Sequence, residues 1–165
     1  MATSTRVSVE EYLRTSYEPD CEYVDGEVLE RNVGEKSHSK VQKRLTVLLA
    51  GREVELGIFV LQEWRMRTRE SRYTIPDFVI VSGPEPDEKV LSTPPLVCVE
   101  ILSPEDRMSR MQRKITEYLD FGVRYVWVLD PESKEAFVYT PHGVEKATEV
   151  LRAENIEVPL AEIFD

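Results

Sequence analysis

Two carboxylates in apolar surroundings carry the chemistry that this sequence can do. Asp77 stands in Tyr73-Thr-Ile-Pro-Asp-Phe-Val-Ile-Val81, and Glu100 in Leu96-Val-Cys-Val-Glu-Ile-Leu102. Both stretches are rich in Val, Ile and Leu and read as buried strands. A carboxylate there loses hydration unless it is paired, hydrogen-bonded or bound to a cation. Two of them on strands that can lie side by side suit a hard divalent metal. Mg²⁺ takes oxygen ligands and needs only one or two protein carboxylates beside waters and substrate phosphate; Mn²⁺ can replace it. Such ions activate water and neutralise charge in phosphodiester hydrolysis. A lysine close by would stabilise the charge that develops. Lys114, three residues after Met111 and four before Tyr118, flanks the apolar stripe of a helix. It reaches the carboxylates if that helix packs beside the Glu100 strand. Each residue also has a plainer role open to it. Asp77 can cap a turn after Pro76, Glu100 can pair with an arginine, and Lys114 can be solvated.

The elements that must position these groups follow from spacing and punctuation. Ser8 and Glu11 form a capping box for a short helix running to about Thr15. Cys21 to Glu30 reads as a hairpin turning at Asp25-Gly26. Ser37 caps a longer helix whose apolar face carries His38, Val41, Leu45, Leu48 and Leu49. His38 there is a core histidine or, at a helix start, a phosphate contact. Ile58 to Trp64 is the next strand, with Gln62 and Glu63 as weaker site candidates; a charged turn and then the Pro76-Asp77 strand follow, with Asp77 at a strand end. Gly83 to Pro95 is a surface loop. A helix over 106–121 stops at Gly122 and leads into the strand Tyr125 to Asp130. Strand, helix, strand implies a parallel pair. Ala136 to Tyr139 and Val144 to Val150 form a second hairpin, and Val158 to Phe164 ends in a short helix.

Composition narrows the class. With 165 residues and 41% hydrophobic content, the chain suits one domain, 1–165, with a sizeable core. Its apolar runs are too short to cross a membrane, and the first residues lack an apolar signal region. Cys21 and Cys98 have no metal-ligand spacing and read as reduced core thiols, which fits a cytoplasmic protein. A net charge of −10 argues against a long, indiscriminate grip on nucleic acid. It leaves room for a nuclease, because an acidic catalytic cluster adds negative charge while local basic patches persist.

The ordered set is specific. Ile75-Pro-Asp77, Val99-Glu-Ile-Leu-Ser-Pro104, a helix with Lys114 and Glu117-Tyr118, and Gly122-Val-Arg-Tyr-Val-Trp-Val-Leu-Asp-Pro131 resemble the PD-(D/E)XK nuclease superfamily. More closely, the chain resembles the Uma2 family, catalogued as restriction endonucleases. The early Glu22-Tyr-Val-Asp-Gly-Glu27 hairpin, His38 and the closing Pro159-Leu-Ala-Glu-Ile-Phe164 extend the likeness over nearly the whole chain. The superfamily pattern places a lysine two residues after the second acid, where this chain has Leu102. The resemblance implies that Lys114 replaces it, and that Glu22 is a possible further carboxylate.

The expectation is therefore an α/β restriction-endonuclease-like fold, a central mixed sheet flanked by helices, with N-terminal and C-terminal hairpins. The expected activity is Mg²⁺-dependent hydrolysis of DNA phosphodiester bonds. Asp77 and Glu100 hold the metal, Lys114 assists the attacking water, and Glu22 and His38 are accessory. Cutting both strands of a duplex calls for a homodimer. One rival is a catalytically silent homodimer that binds nucleic acid or protein on the same fold. The other is a metal-dependent hydrolase of a smaller phosphate compound.

Overall fold

The computed structural model describes residues 6–32 and 34–164. Its centre is a six-stranded mixed sheet in the order β10-β9-β8-β7-β6-β3. The strands are β3 (Ile58–Gln62), β6 (Phe78–Ser82), β7 (Val97–Ile101), β8 (Tyr125–Asp130), β9 (Glu135–Thr140) and β10 (Gly143–Ala147). Only β7 and β8 run parallel, with Val97 opposite Tyr125 and Ile101 opposite Leu129. The helix α4 (Met108–Phe121) connects them, as the strand, helix, strand order requires. Gly122 ends α4 at φ +115°, and its N–H bonds to the carbonyls of Tyr118 and Leu119. A side chain there would also meet Pro94 Cγ at 3.1 Å.

Period-two alternation decides what each face of β7 meets. Val97, Val99 and Ile101 point into a core shared with Val41, Leu45 and Leu49 of α2 (Lys36–Ala50). Cys98 joins the opposite core, packed by Met111, Ile115 and Tyr118 of α4. Glu100 shares the parity of Cys98 and therefore faces α4. Burying each large α4 side chain contributes about 1.5–3 kcal/mol and holds the helix against that face.

A second sheet, four-stranded and antiparallel, has the order β2-β1-β5-β4. It is built from β1 (Cys21–Val24), β2 (Glu27–Glu30), β4 (Met66–Arg69) and β5 (Arg72–Thr74). The β1–β2 turn places Asp25 and Gly26 at positive φ, as the Asp-Gly pair favours. Tyr23 and Tyr73 pack with Tyr12 of α1 (Val9–Arg14) in a small aromatic core. Ser8 caps α1 by accepting from the Glu11 N–H.

Three expectations about elements change. Tyr73 to Val81 is not one strand: it breaks at Ile75-Pro76-Asp77, leaving β5 in one sheet and β6 in the other. Pro76 has no N–H for a ladder, and the Ile75 N–H goes to the Glu22 side chain. The 36–50 helix starts one residue before Ser37, with Glu35 at its cap. Val150 to Pro159 forms its own hairpin, β11 (Val150–Ala153) with β12 (Ile156–Pro159), ahead of the short helix α5 (Leu160–Ile163). No helix among the described residues is long and apolar enough to cross a membrane.

Candidate active site

The site lies where the two sheets and α4 meet. Asp77 occupies the link between β5 and β6. Its Oδ2 accepts the Ile101 N–H at 2.7 Å. Its Oδ1 accepts from Arg31 Nη2 at 3.0 Å and from His38 Nε2 at 3.2 Å. Glu100, on β7, takes both of its donors on Oε1: the Tyr118 hydroxyl at 2.5 Å and Lys114 Nζ at 3.0 Å. Tyr118 follows Lys114 by one helical turn, so both reach the same carboxylate from one face of α4.

Glu22 meets the same lysine from the other side. Alternation on β1 turns Tyr23 into the aromatic core and Glu22 away from it. Glu22 Oε1 lies 3.0 Å from Lys114 Nζ, and it also accepts from Thr74 Oγ1 and the Ile75 N–H, both at 2.9 Å. Among the described residues its Oε2 has no hydrogen-bond partner, though Arg72 Nη2 stands 3.6 Å away. Arg72 is held in turn by Glu117 of α4 at 2.9 Å. Asp77, Glu100, Lys114, His38 and Arg31 line one pocket. Glu22 does not line it. At 1% exposure it sits behind the lysine and fixes its position.

Burial sets the electrostatics. For Glu22, desolvation pushes the pKa up, but Lys114, the Ile75 N–H and Arg72 together hold it down at about 2. For Glu100, desolvation outweighs Lys114, and the like charges of Asp77 and Glu22 add to it, so its pKa rises to about 7. For Asp77, burial opposes ionisation, yet His38 and the Ile101 N–H keep it below the ordinary aspartate range. Burial would lower His38, and its bond to Asp77 raises it instead. Lys114 is raised as well: burial opposes its charge, but Glu100, Glu22 and Asp77 favour it more strongly.

These shifts give a signed pH dependence for the metal-free protein. Glu22, with its lowered pKa, contributes stability above the ordinary glutamate value that is lost as pH falls through about 2. Glu100 acts in the opposite sense. Its contribution is complete below 4.5 and is lost as pH rises through about 7. His38, also raised, adds to the loss in the same direction. In EDTA, Tm is expected to fall from about pH 5 to about pH 8, and Glu100→Gln should flatten much of that fall. A Glu100→Gln protein that keeps the wild-type profile would refute this assignment.

The donor set bears on a metal. Among the described residues no group of three or more His, Cys, Asp and Glu side chains converges to hold an ion, so no closed cage of the zinc type is built. Asp77 and Glu100 nevertheless face one pocket with hard oxygens, and two carboxylates match the number that Mg²⁺ uses. In donor type and number the two carboxylates match that ion, with Arg31 and His38 already on Asp77 Oδ1.

The structure brings together Asp77, Glu100, Lys114, Glu22 and His38. It sets the weaker candidates apart. Gln62 is exposed and bonds to Thr46. Glu63 reaches only the Arg31 guanidinium, at 3.7 Å. Trp127 is fully buried, and His142 is exposed in a turn. Sequence reasoning missed Arg31, Tyr118, Thr74 and Arg72. Tyr118 carried a signal, a hydroxyl one helical turn after the lysine. Arg31 carried none, because it follows β2 in an irregular link and meets a partner 46 residues away.

Comparison with known proteins agrees with this architecture. A crystal structure titled "putative nuclease belonging to DUF820", from Anabaena variabilis ATCC 29413, superposes with a TM-score of 0.82. It shares 21% identity, over 96% of this chain and 97% of that one. That likeness establishes the fold. No curated protein matches the sequence. Residues 9–163 match the profile of Uma2, described as "Putative restriction endonuclease", and on that near-complete match the chain belongs to the Uma2 family.

Proposed function

We propose that this protein is a Mg²⁺-dependent endonuclease, with Mn²⁺ as a substitute, that hydrolyses DNA phosphodiester bonds. One observation carries the reading. Lys114 Nζ lies 3.0 Å from Glu100 although Leu102 occupies the strand position where the lysine of this superfamily is expected. On this reading a helix supplies the cation that the strand lacks. Asp77 and Glu100 would hold the ion, which when bound acidifies water and neutralises charge at phosphorus. Lys114 keeps its proton and offers it as a fixed donor to charge that grows in the transition state. Glu22 holds that ammonium from behind. His38 and Arg31, at the pocket wall beside Asp77, are placed to donate to phosphate oxygens. For a duplex cut on both strands, two such pockets and hence a homodimer are expected.

The test is cleavage of supercoiled plasmid and of oligonucleotides in Mg²⁺, Mn²⁺ and EDTA. Cutting that persists in EDTA, or no cutting under any condition, overturns the proposal. The silent binding module keeps one observation in its favour: Arg31 and His38 already neutralise Asp77. It requires DNA binding that is indifferent to metal, without cleavage.

A further inference from the structure

A large groove opens beside the catalytic pocket and shares Ser103, Asp106 and Met111 with it. Its volume is about 710 Å³, within the range of sites that take small organic molecules. Phe137 and Tyr139, two positions apart on β9, line one side, both half-buried. Leu102 and Met108 are also in its lining, and Met108 is 71% exposed. Beyond the groove lies another of about 450 Å³, which shares Glu35, Ser37 and Pro131 with it. Lys36 and Lys134 line that second groove, with Lys40 and Arg44 also in its lining and Glu35 as the acid among the described residues there.

Resting on the nuclease reading, we propose that a single-stranded DNA flank runs from the catalytic pocket through the apolar groove. Its bases stack on Phe137 and Tyr139, and its phosphates continue onto Lys36 and Lys134. Three features favour this occupant. The groove is continuous with the catalytic pocket, so what fills it is attached to what reacts. Cations stand at both ends, with Arg31, Arg110 and Lys114 lining the catalytic pocket. The stretch between is lined by apolar side chains together with Asp130 and Glu132, which can accept from base amino groups, and Arg107, which can meet phosphate. A duplex keeps its base faces stacked inside, so they cannot lie on such a wall. An unpaired strand presents π faces, which stack on aromatic side chains without regard to sequence.

Fluorescence anisotropy in EDTA tests the groove without cleavage. The probes are a single strand of about twelve nucleotides, an abasic strand of the same length and the matching duplex. We expect the single strand to bind at least about tenfold more tightly than either of the others. Phe137→Ala should weaken the single strand about tenfold and leave the abasic strand unchanged, since stacking alone is removed. Phe137→Leu, which keeps the groove apolar, should show the same selective loss and guards against misfolding. Lys36→Glu with Lys134→Glu should weaken both strands and lower the salt slope by about 0.7 per lost contact. Equal binding of normal and abasic strands, equal binding of the duplex, or unchanged affinity in both Phe137 variants overturns the groove assignment. Cleavage in Mg²⁺ separates the two readings. Cutting that survives without single-strand preference sinks the groove and leaves the nuclease. Selective single-strand binding with no cutting of any substrate sinks the nuclease and leaves the groove.

Discussion

Lys114→Ala will cost this protein both its turnover and much of its stability. The catalytic loss is expected at about 10²–10³ in rate, the usual effect of removing one preorganised donor from a developing charge. The stability loss comes from what the lysine leaves behind. Glu22 and Glu100 are 1% and 4% exposed, and Lys114 stands 3.0 Å from an oxygen of each. Breaking a buried ion pair from one side costs about 3–5 kcal/mol, because the remaining charge has no partner. Without the lysine, burial drives both carboxyls toward a raised pKa. A raised folded pKa gives stability below the unfolded value that vanishes as pH rises, so the variant should be most stable in acid. Glu22→Gln and Glu100→Gln combined with Lys114→Met removes all three charges together and should restore the melting temperature without restoring cleavage. The neighbouring Arg113 is exposed, so Arg113→Ala should change stability by no more than about 0.5 kcal/mol and leave turnover intact. Wild-type cleavage by Lys114→Ala, or a melt equal to that of Arg113→Ala, would show that the lysine does neither job.

The second large effect is expected from Asp77→Asn. Cleavage should drop by at least about 10², and calorimetric Mg²⁺ binding should be lost, since one of two hard ligands becomes a neutral amide. The surroundings also change. An amide can still accept the Ile101 N–H, but it then turns an NH₂ toward Arg31 and His38, so donors face donors. His38 loses the anion that does most to raise its pKa, and burial and Arg31 are then opposed by Glu100. Its imidazole titration, followed by NMR, should move downward relative to wild type. Asp106 provides the control. It lines the same pocket, but its carboxylate holds the Ser103 N–H at 2.7 Å, and Asp106→Asn should retain Mg²⁺ binding. Equal Mg²⁺ affinity in wild type and Asp77→Asn would remove Asp77 from the metal site.

Much of this arrangement was legible in the sequence, for reasons that differ by residue. Glu100 stands out because an acid inside a buried β-branched run is costly unless it has a partner. Lys114 stands out because it flanks the stripe of a strongly amphipathic helix, and the expected packing of that helix beside the Glu100 strand is what the structure contains. The consequence of its burial was not legible. Read as a helix-flank lysine, it is expected to be removable with little effect on folding, whereas two buried acids behind it reverse that expectation. The division of Tyr73 to Val81 between two sheets was not legible, because only the Glu22 side chain, far away in sequence, takes the Ile75 N–H out of the ladder. The β11–β12 hairpin did carry a signal. Leu151, Ala153, Ile156 and Val158 alternate and are buried, but the turn is Glu154-Asn155 rather than a glycine pair, with Glu154 at φ +53°.

The meeting of two sheets and a helix at one lysine has a consequence for when the protein becomes dangerous. Synthesis proceeds from the N-terminus, so Glu22 emerges early, Asp77 and Glu100 follow, and Lys114 arrives last of the four. A nascent or truncated chain that ends before α4 has acids but no cation between them, and it lacks the helix that covers their face of the sheet. On the proposed function, no such fragment can cut. On that reading a translation product that stops short of α4 would be inert, and cleavage would await a polypeptide long enough to close around its own lysine.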